Sequence, residues 1–131
     1  MLDLRLAELG ANLLVRTLTQ PLRPLPQSTE GVTRCRKLTK GDGIVDLETM
    51  TAEEVDRRVR ALSHWPGVMC TLHGHAVKLI STNLEPVPDA LPLPCKGTST
   101  LYVTEVLPPG KRPMPAAAWM RGLRHSGKGV Q

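Results

Sequence analysis

The chain has 131 residues, the length of one ordinary domain, and with two Trp, one Tyr and no Phe its core must be built from Leu, Val, Ala and Met. Twelve prolines and eleven glycines argue for turns and short strands rather than a helical bundle, and no apolar run approaches the roughly 20 residues of a membrane span. The net charge of +5 is unevenly spread: residues 1–43 and 111–131 are basic while 44–110 are mildly acidic, a footprint expected where a polyanion meets the ends of a folded unit.

Residues 2–18, LDLRLAELGANLLVRTL, place Leu2, Leu6, Leu9, Leu13, Leu14 and Leu18 near one face at helical spacing. Arg5 and Glu8 interrupt the apolar centre a signal peptide would need, and Asp3 and Glu8 argue against an organellar presequence. The next stretch, TQPLRPLPQSTEGVTRCRKLTKGDG, has no sustained period; Pro21, Pro24 and Pro26 hold it extended as a basic linker. A short strand, IVDL, is expected at 44–47.

Residues 51–62 form the strongest helical signal. Thr51 is an N-cap with Glu54 three residues on, and Met50 and Val55 are placed for a hydrophobic staple. Val55, Val59 and Leu62 make the buried stripe, and Glu53–Arg57, Glu54–Arg58 and Asp56–Arg60 are acid-before-base pairs on a solvated face. Trp65 is expected to pack the helix end onto a sheet, Pro66 to stop the helix, and Gly67 to start a hairpin.

VMCTL and HAVKLIST read as strands about a tight His73-Gly74 turn. LEPVPDALPLP, 84–94, has four prolines and resists a central-strand assignment. TLYVTEVL, 100–107, is a strand of ambiguous facing, Pro108-Pro109-Gly110 a turn, and about 115–123 a final helix beside Trp119. The pattern is α+β, with a small sheet able to curl into a partial barrel.

Little here resembles an active site. Cys35, Cys70 and Cys95 include no C-x-x-C pair, so buried thiols in a reducing intracellular setting are expected rather than disulfides or zinc. His73 and His75 share a hairpin face but have no carboxylate or thiol at ligand spacing, and His64 and His125 stand alone. Gly41-Asp42-Gly43 is too short for a phosphate loop. No catalytic, cofactor-binding or metal residue is assigned. Nucleic acid is the stronger candidate, through backbone contact with a structured RNA rather than base stacking, since Trp65 and Trp119 are both expected in the core.

Five ordered motifs between residues 5 and 124 resemble the C-terminal part of the methionyl-tRNA formyltransferase family. LAELGANLLVRTL resembles the last helix of its catalytic domain, GVTRCRKLTKGDGIVDL its Gly-Ala-Thr-Tyr-Ala-Pro-Lys-Ile segment, and VRALSHWPG its Arg-Ala-hydrophobic-x-x-Trp-Pro-Gly junction. GHAVKLI resembles the next strand and VLPPGKRPMPAAAWMRGLR the closing Gln-Pro-Pro-Gly-Lys-Lys-Pro-Met run. The resemblance implies a helix at 1–19, a basic proline-rich linker at 20–43, an OB-like, partly open β-barrel with an inserted helix at 44–124, and a loose tail at 125–131.

That family formylates the methionine of initiator Met-tRNA with 10-formyltetrahydrofolate, and its C-terminal domain and linker bind the tRNA. The implied tRNA contacts are Arg34, Arg36, Lys37, Lys40, Lys111 and Arg112, of which Lys37, Lys111 and Arg112 match motif positions closely. The family's catalytic Asn, His and Asp lie upstream of these motifs, so no cofactor and no formylation are expected of these residues alone. Arg34, Cys35 and Arg36 stand where Tyr, Ala and Pro are usual, His64 replaces a Pro and Leu107 a Gln. The short segment 84–94 leaves one barrel strand, and barrel closure, open. Expected partners are tRNA and a separate catalytic domain; the alternatives are a repurposed RNA-binding or ribosome-associated structural protein and a degenerate remnant. The setting would be cytoplasmic in a bacterium, mitochondrial or plastid in a eukaryote, with no membrane partner.

Overall fold

The structure, a computed structural model, describes residues 2–126 and the side chains of residues 2–123. It divides into two compact units, 1–36 and 37–131. The first unit is helix α1, Leu2–Leu18, followed by extended chain. Its leucine stripe forms as expected, yet Leu6, Leu9, Leu13 and Leu14 are each 57–63% exposed within this chain.

The second unit begins with a 3-10 turn, Lys40–Gly43, in which the Asp42 carboxylate accepts from Thr39 N at 2.6 Å. No strand follows. Ile44 makes one parallel bridge to Met69 and Val45 N donates to the Met69 carbonyl at 2.9 Å. The chain then turns because the Asp46 carboxylate accepts from Glu48 N (3.0 Å) and Thr49 Oγ1 (3.1 Å). A short polar side chain thus competes successfully with the ladder that IVDL would otherwise extend.

Helix α2, Ala52–Ala61, starts where the sequence requires. Thr51 N donates to Glu54 at 2.8 Å while Glu54 N donates to Thr51 Oγ1 at 3.3 Å. The first of these bonds is the main cause holding the Glu54 carboxyl below its usual range. Val55 and Val59 are buried, and so is Asp56, at 6% exposure. The charged face is therefore not wholly solvated. Asp56 accepts from Thr82 Oγ1 at 2.7 Å and from Arg60 Nε at 2.9 Å, tying the helix to the sheet.

Strands β1 (Val68–Leu72) and β2 (His75–Asn83) form the expected hairpin, with His73 and Gly74 both at positive φ. Strand β4 (Thr100–Leu107) pairs with β2, and β3 (Leu91–Pro94) lies at the sheet edge beyond β4. The proline-rich stretch thus supplies a strand after all. Pro92 and Pro94 are exposed there while Leu93 is buried, which fits prolines on an edge strand. A two-residue strand, β5 (Met114–Pro115), pairs with the far end of β4 and leads into α3, Ala116–Ser126. Residues 124–126 extend α3 beyond the expected helix end, the last two of them into the expected tail, whose remainder, 127–131, lies outside the described residues.

The ambiguous facing of β4 has a structural cause. Ile80 is an extra residue on β2 and Thr104 one on β4, so the register slips twice between Leu79–Val106 and Thr82–Val103. Leu101, Val103 and Val106 therefore all reach one core despite their mismatched parity. The bulged antiparallel sheet curls into a half-barrel, α+β and OB-like. Val55, Val68, Val77, Leu101, Val103 and Val106 are fully buried in it, each such side chain contributing about 1.5–3 kcal/mol.

Candidate nucleic-acid interface

Arg34 and Arg36 lie exposed in the extended part of the first unit. Lys37, Lys40, Lys111 and Arg112 belong to the second, all exposed. Fold topology relates several of these. Gly43, the last residue of the turn carrying Lys40, is buried against the helix–hairpin junction: a Cβ on it would run into the Gly67 carbonyl oxygen and lie 3.1 Å from Pro66 Cγ. Gly67, at φ 81°, leaves room for the Lys78 side chain, whose Cε and Nζ lie where its Cβ would stand.

Lys78 is in turn the cross-strand partner of Met69 on one side and of Leu107 on the other. Leu107 ends β4, and the next residues, Pro108 to Lys111, close a turn through Lys111 N donating to the Pro108 carbonyl at 3.2 Å. The ladder thus brings the Lys40 turn, Lys78 and the Lys111–Arg112 turn to one end of the sheet from three distant parts of the chain. Lys78 was not among the residues singled out from sequence. The signal was there: it alternates with buried Val77 and Leu79, so strand period alone turns it to the outer face.

Trp65 is the main departure. It does not pack the helix end onto the sheet but stands 52% exposed. Leu62, 7% exposed, and Pro66, half-buried against Gly43, fill the junction instead. Gly67 N donates to the Leu62 carbonyl at 2.9 Å, closing the loop that carries His64 and Trp65, and the Trp65–Pro66 peptide is cis. Trp119, by contrast, is buried as expected at 7%.

The thiols also divide. Cys70 and Cys95 are buried, and loss of solvent pushes Cys70 up to about 12 and raises Cys95 as well. Cys35 is exposed, contrary to expectation, because it sits in the extended linker where there is no core to enter. His73 and His75 line a cleft of about 240 Å³ with Met120 and Leu123. Among the described residues, no three His, Cys, Asp or Glu side chains gather around a common point, and no helix is long and apolar enough to cross a membrane.

Comparison with known proteins adds a second line. Residues 37–124 match the family "Formyl transferase, C-terminal domain". The chain is 43% identical over 137 residues to the methionyl-tRNA formyltransferase of Thermobifida fusca, covering 92% of this chain and 43% of that protein. It is 40% identical over 127 residues to that of Paracoccus denitrificans, covering 91% and 42%. This chain therefore spans about two fifths of the length of these relatives. Among solved structures, a variant of HypX from Aquifex aeolicus superposes with a TM-score of 0.66 at 21% identity, over 95% of this chain and 24% of that one, a likeness of fold.

Proposed function

Because this chain belongs to the formyl transferase C-terminal domain family, we propose that it is the tRNA-binding module of a methionyl-tRNA formyltransferase, serving formylation of initiator Met-tRNA. The observation that carries this reading is the gathering of Lys40, Lys78, Lys111 and Arg112 at one end of the half-barrel, inside the matched residues. Cations set on one strand and on two turns beside it can track phosphates of a folded RNA without reading bases. Arg34 and Arg36, in the first unit, and Lys37, at the start of the second, are further candidate phosphate contacts. The chemistry, with 10-formyltetrahydrofolate as formyl donor, belongs to a catalytic domain, and the exposed leucine stripe of α1 is the face offered to it.

The test is binding of the purified chain to formylatable initiator tRNA and to an elongator tRNA across a salt series. Both should bind, with log affinity falling linearly with log salt by about 0.7–0.9 per phosphate contacted. Replacing Arg34, Arg36, Lys37 and Lys40 with Ala should weaken binding and flatten that slope. Absence of binding at low salt would reject the reading.

A further inference from the structure

The cations account for charge, but not for the one aromatic side chain that the fold leaves exposed. The chain has three aromatic residues; Trp119 is buried and Tyr102 half-buried, so the exposed indole of Trp65 stands apart. Its backbone is held from both sides. The Gly67 N to Leu62 carbonyl bond closes the loop, and Pro66 is seated on Gly43. An aromatic side chain on so constrained a backbone can be stacked upon without the entropy cost of ordering the loop.

Its surroundings supply the complementary charge. Lys78 lies across Gly67, two residues after the indole, and the turn carrying Lys40 packs on the same junction through Gly43. An exposed indole on a junction that also carries two lysines matches an unpaired nucleotide, whose base can stack while its phosphates meet the cations. A helical RNA, whose bases are already stacked on one another, offers no such partner.

We propose that Trp65 is a stacking platform for an unpaired nucleotide of the bound RNA, with Lys78 and Lys40 holding the adjoining phosphates. The inference rests on the RNA-binding reading above and adds to it a preference for RNA containing single-stranded nucleotides. Stacking releases no counterions, so Trp65 sets affinity while the lysines set its salt dependence.

The experiment measures binding of wild type, Trp65→Ala, Trp65→Phe and Lys78→Ala to a tRNA transcript and to a blunt RNA duplex of similar length. Thermal unfolding of each variant confirms the fold. Wild type should prefer the tRNA. Trp65→Ala should lose about 5- to 100-fold toward tRNA, little toward duplex, with an unchanged salt slope; Trp65→Phe should keep most of the preference. Lys78→Ala should lower the slope instead, and tRNA should quench wild-type indole fluorescence but leave the Trp119 emission that remains in Trp65→Phe largely unchanged. Wild-type affinity in Trp65→Ala, or equal loss toward both RNAs, overturns the stacking role while leaving RNA binding in place. Failure of wild type to bind either RNA overturns both.

Discussion

Asp56 gives the sharpest test of what holds helix α2, and with it the Trp65 junction, on the sheet. Its carboxylate is buried and accepts two bonds of unequal worth. The Thr82 hydroxyl at 2.7 Å is half-buried, and a hydrogen bond to a charged group of this kind contributes about 1.5–3 kcal/mol. The Arg60 bond at 2.9 Å looks equally good, but the Arg60 side chain is 69% exposed, so solvent screens it to about 0–1 kcal/mol. Asp56→Ala should therefore cost about 2–3 kcal/mol and Arg60→Ala less than about 1 kcal/mol. Thr82→Val should approach the first value, and the double variant Asp56→Ala/Thr82→Val should cost clearly less than the two single changes added. Urea unfolding with an unchanged m-value reads these directly; in a domain of this size Asp56→Ala should lower Tm by roughly 8–24 °C. If Asp56→Ala cost no more than Arg60→Ala, the buried Thr82–Asp56 bond would not be what fastens the helix.

Gly43→Ala should destabilise the second unit by about 1–3 kcal/mol, because the new methyl meets the backbone of Gly67 and not a side chain that can swing away. Gly74→Ala, with open space around it, should cost only the strain of its positive φ, about 1 kcal/mol, and urea unfolding separates the two. Alkylation followed by mass spectrometry should label Cys35 in the folded chain and Cys70 and Cys95 only on unfolding. Cys70 also favours the folded state only while protonated. Its contribution is complete below its unfolded value of 9.0, declines as pH rises, and is gone near 12, so urea midpoints should begin to fall above pH 9.

Much of this architecture could be read from residue order, and the failures have local causes. Capping at Thr51 and Glu54, the His73-Gly74 turn and the α1 stripe are written in neighbouring residues, where sequence is most informative. IVDL failed because strand propensity at Ile44 and Val45 lost to the Asx turn at Asp46, a contest between adjacent residues that pattern alone does not decide. LPLP was undervalued because a proline is excluded from a ladder only where its missing N–H is needed, and an edge strand does not need it. The facing of β4 depended on paired bulges at Ile80 and Thr104, which are properties of two strands together. Asp56 was placed on a solvated face because its acceptor role requires Thr82, 26 residues away.

The four cations at the end of the half-barrel illustrate the same limit. Lys40, Lys78, Lys111 and Arg112 span 73 residues of sequence; motif resemblance picks out the first and the last two, but their relation to Lys78 is a property of the fold. Their convergence follows from three packing and pairing contacts: Gly43 on Pro66, Gly67 beneath Lys78, and the Lys78–Leu107 pairing. Removing a side chain at any cation should weaken binding in proportion to the phosphates it meets. Disturbing Gly43 or Gly67 should do more, because the spacing between cations and the set of the Trp65 indole would shift together. Affinity for a folded polyanion depends on the spacing of the cations as well as on their number, so under the proposed reading the glycine variants should lose more affinity than any single cation variant.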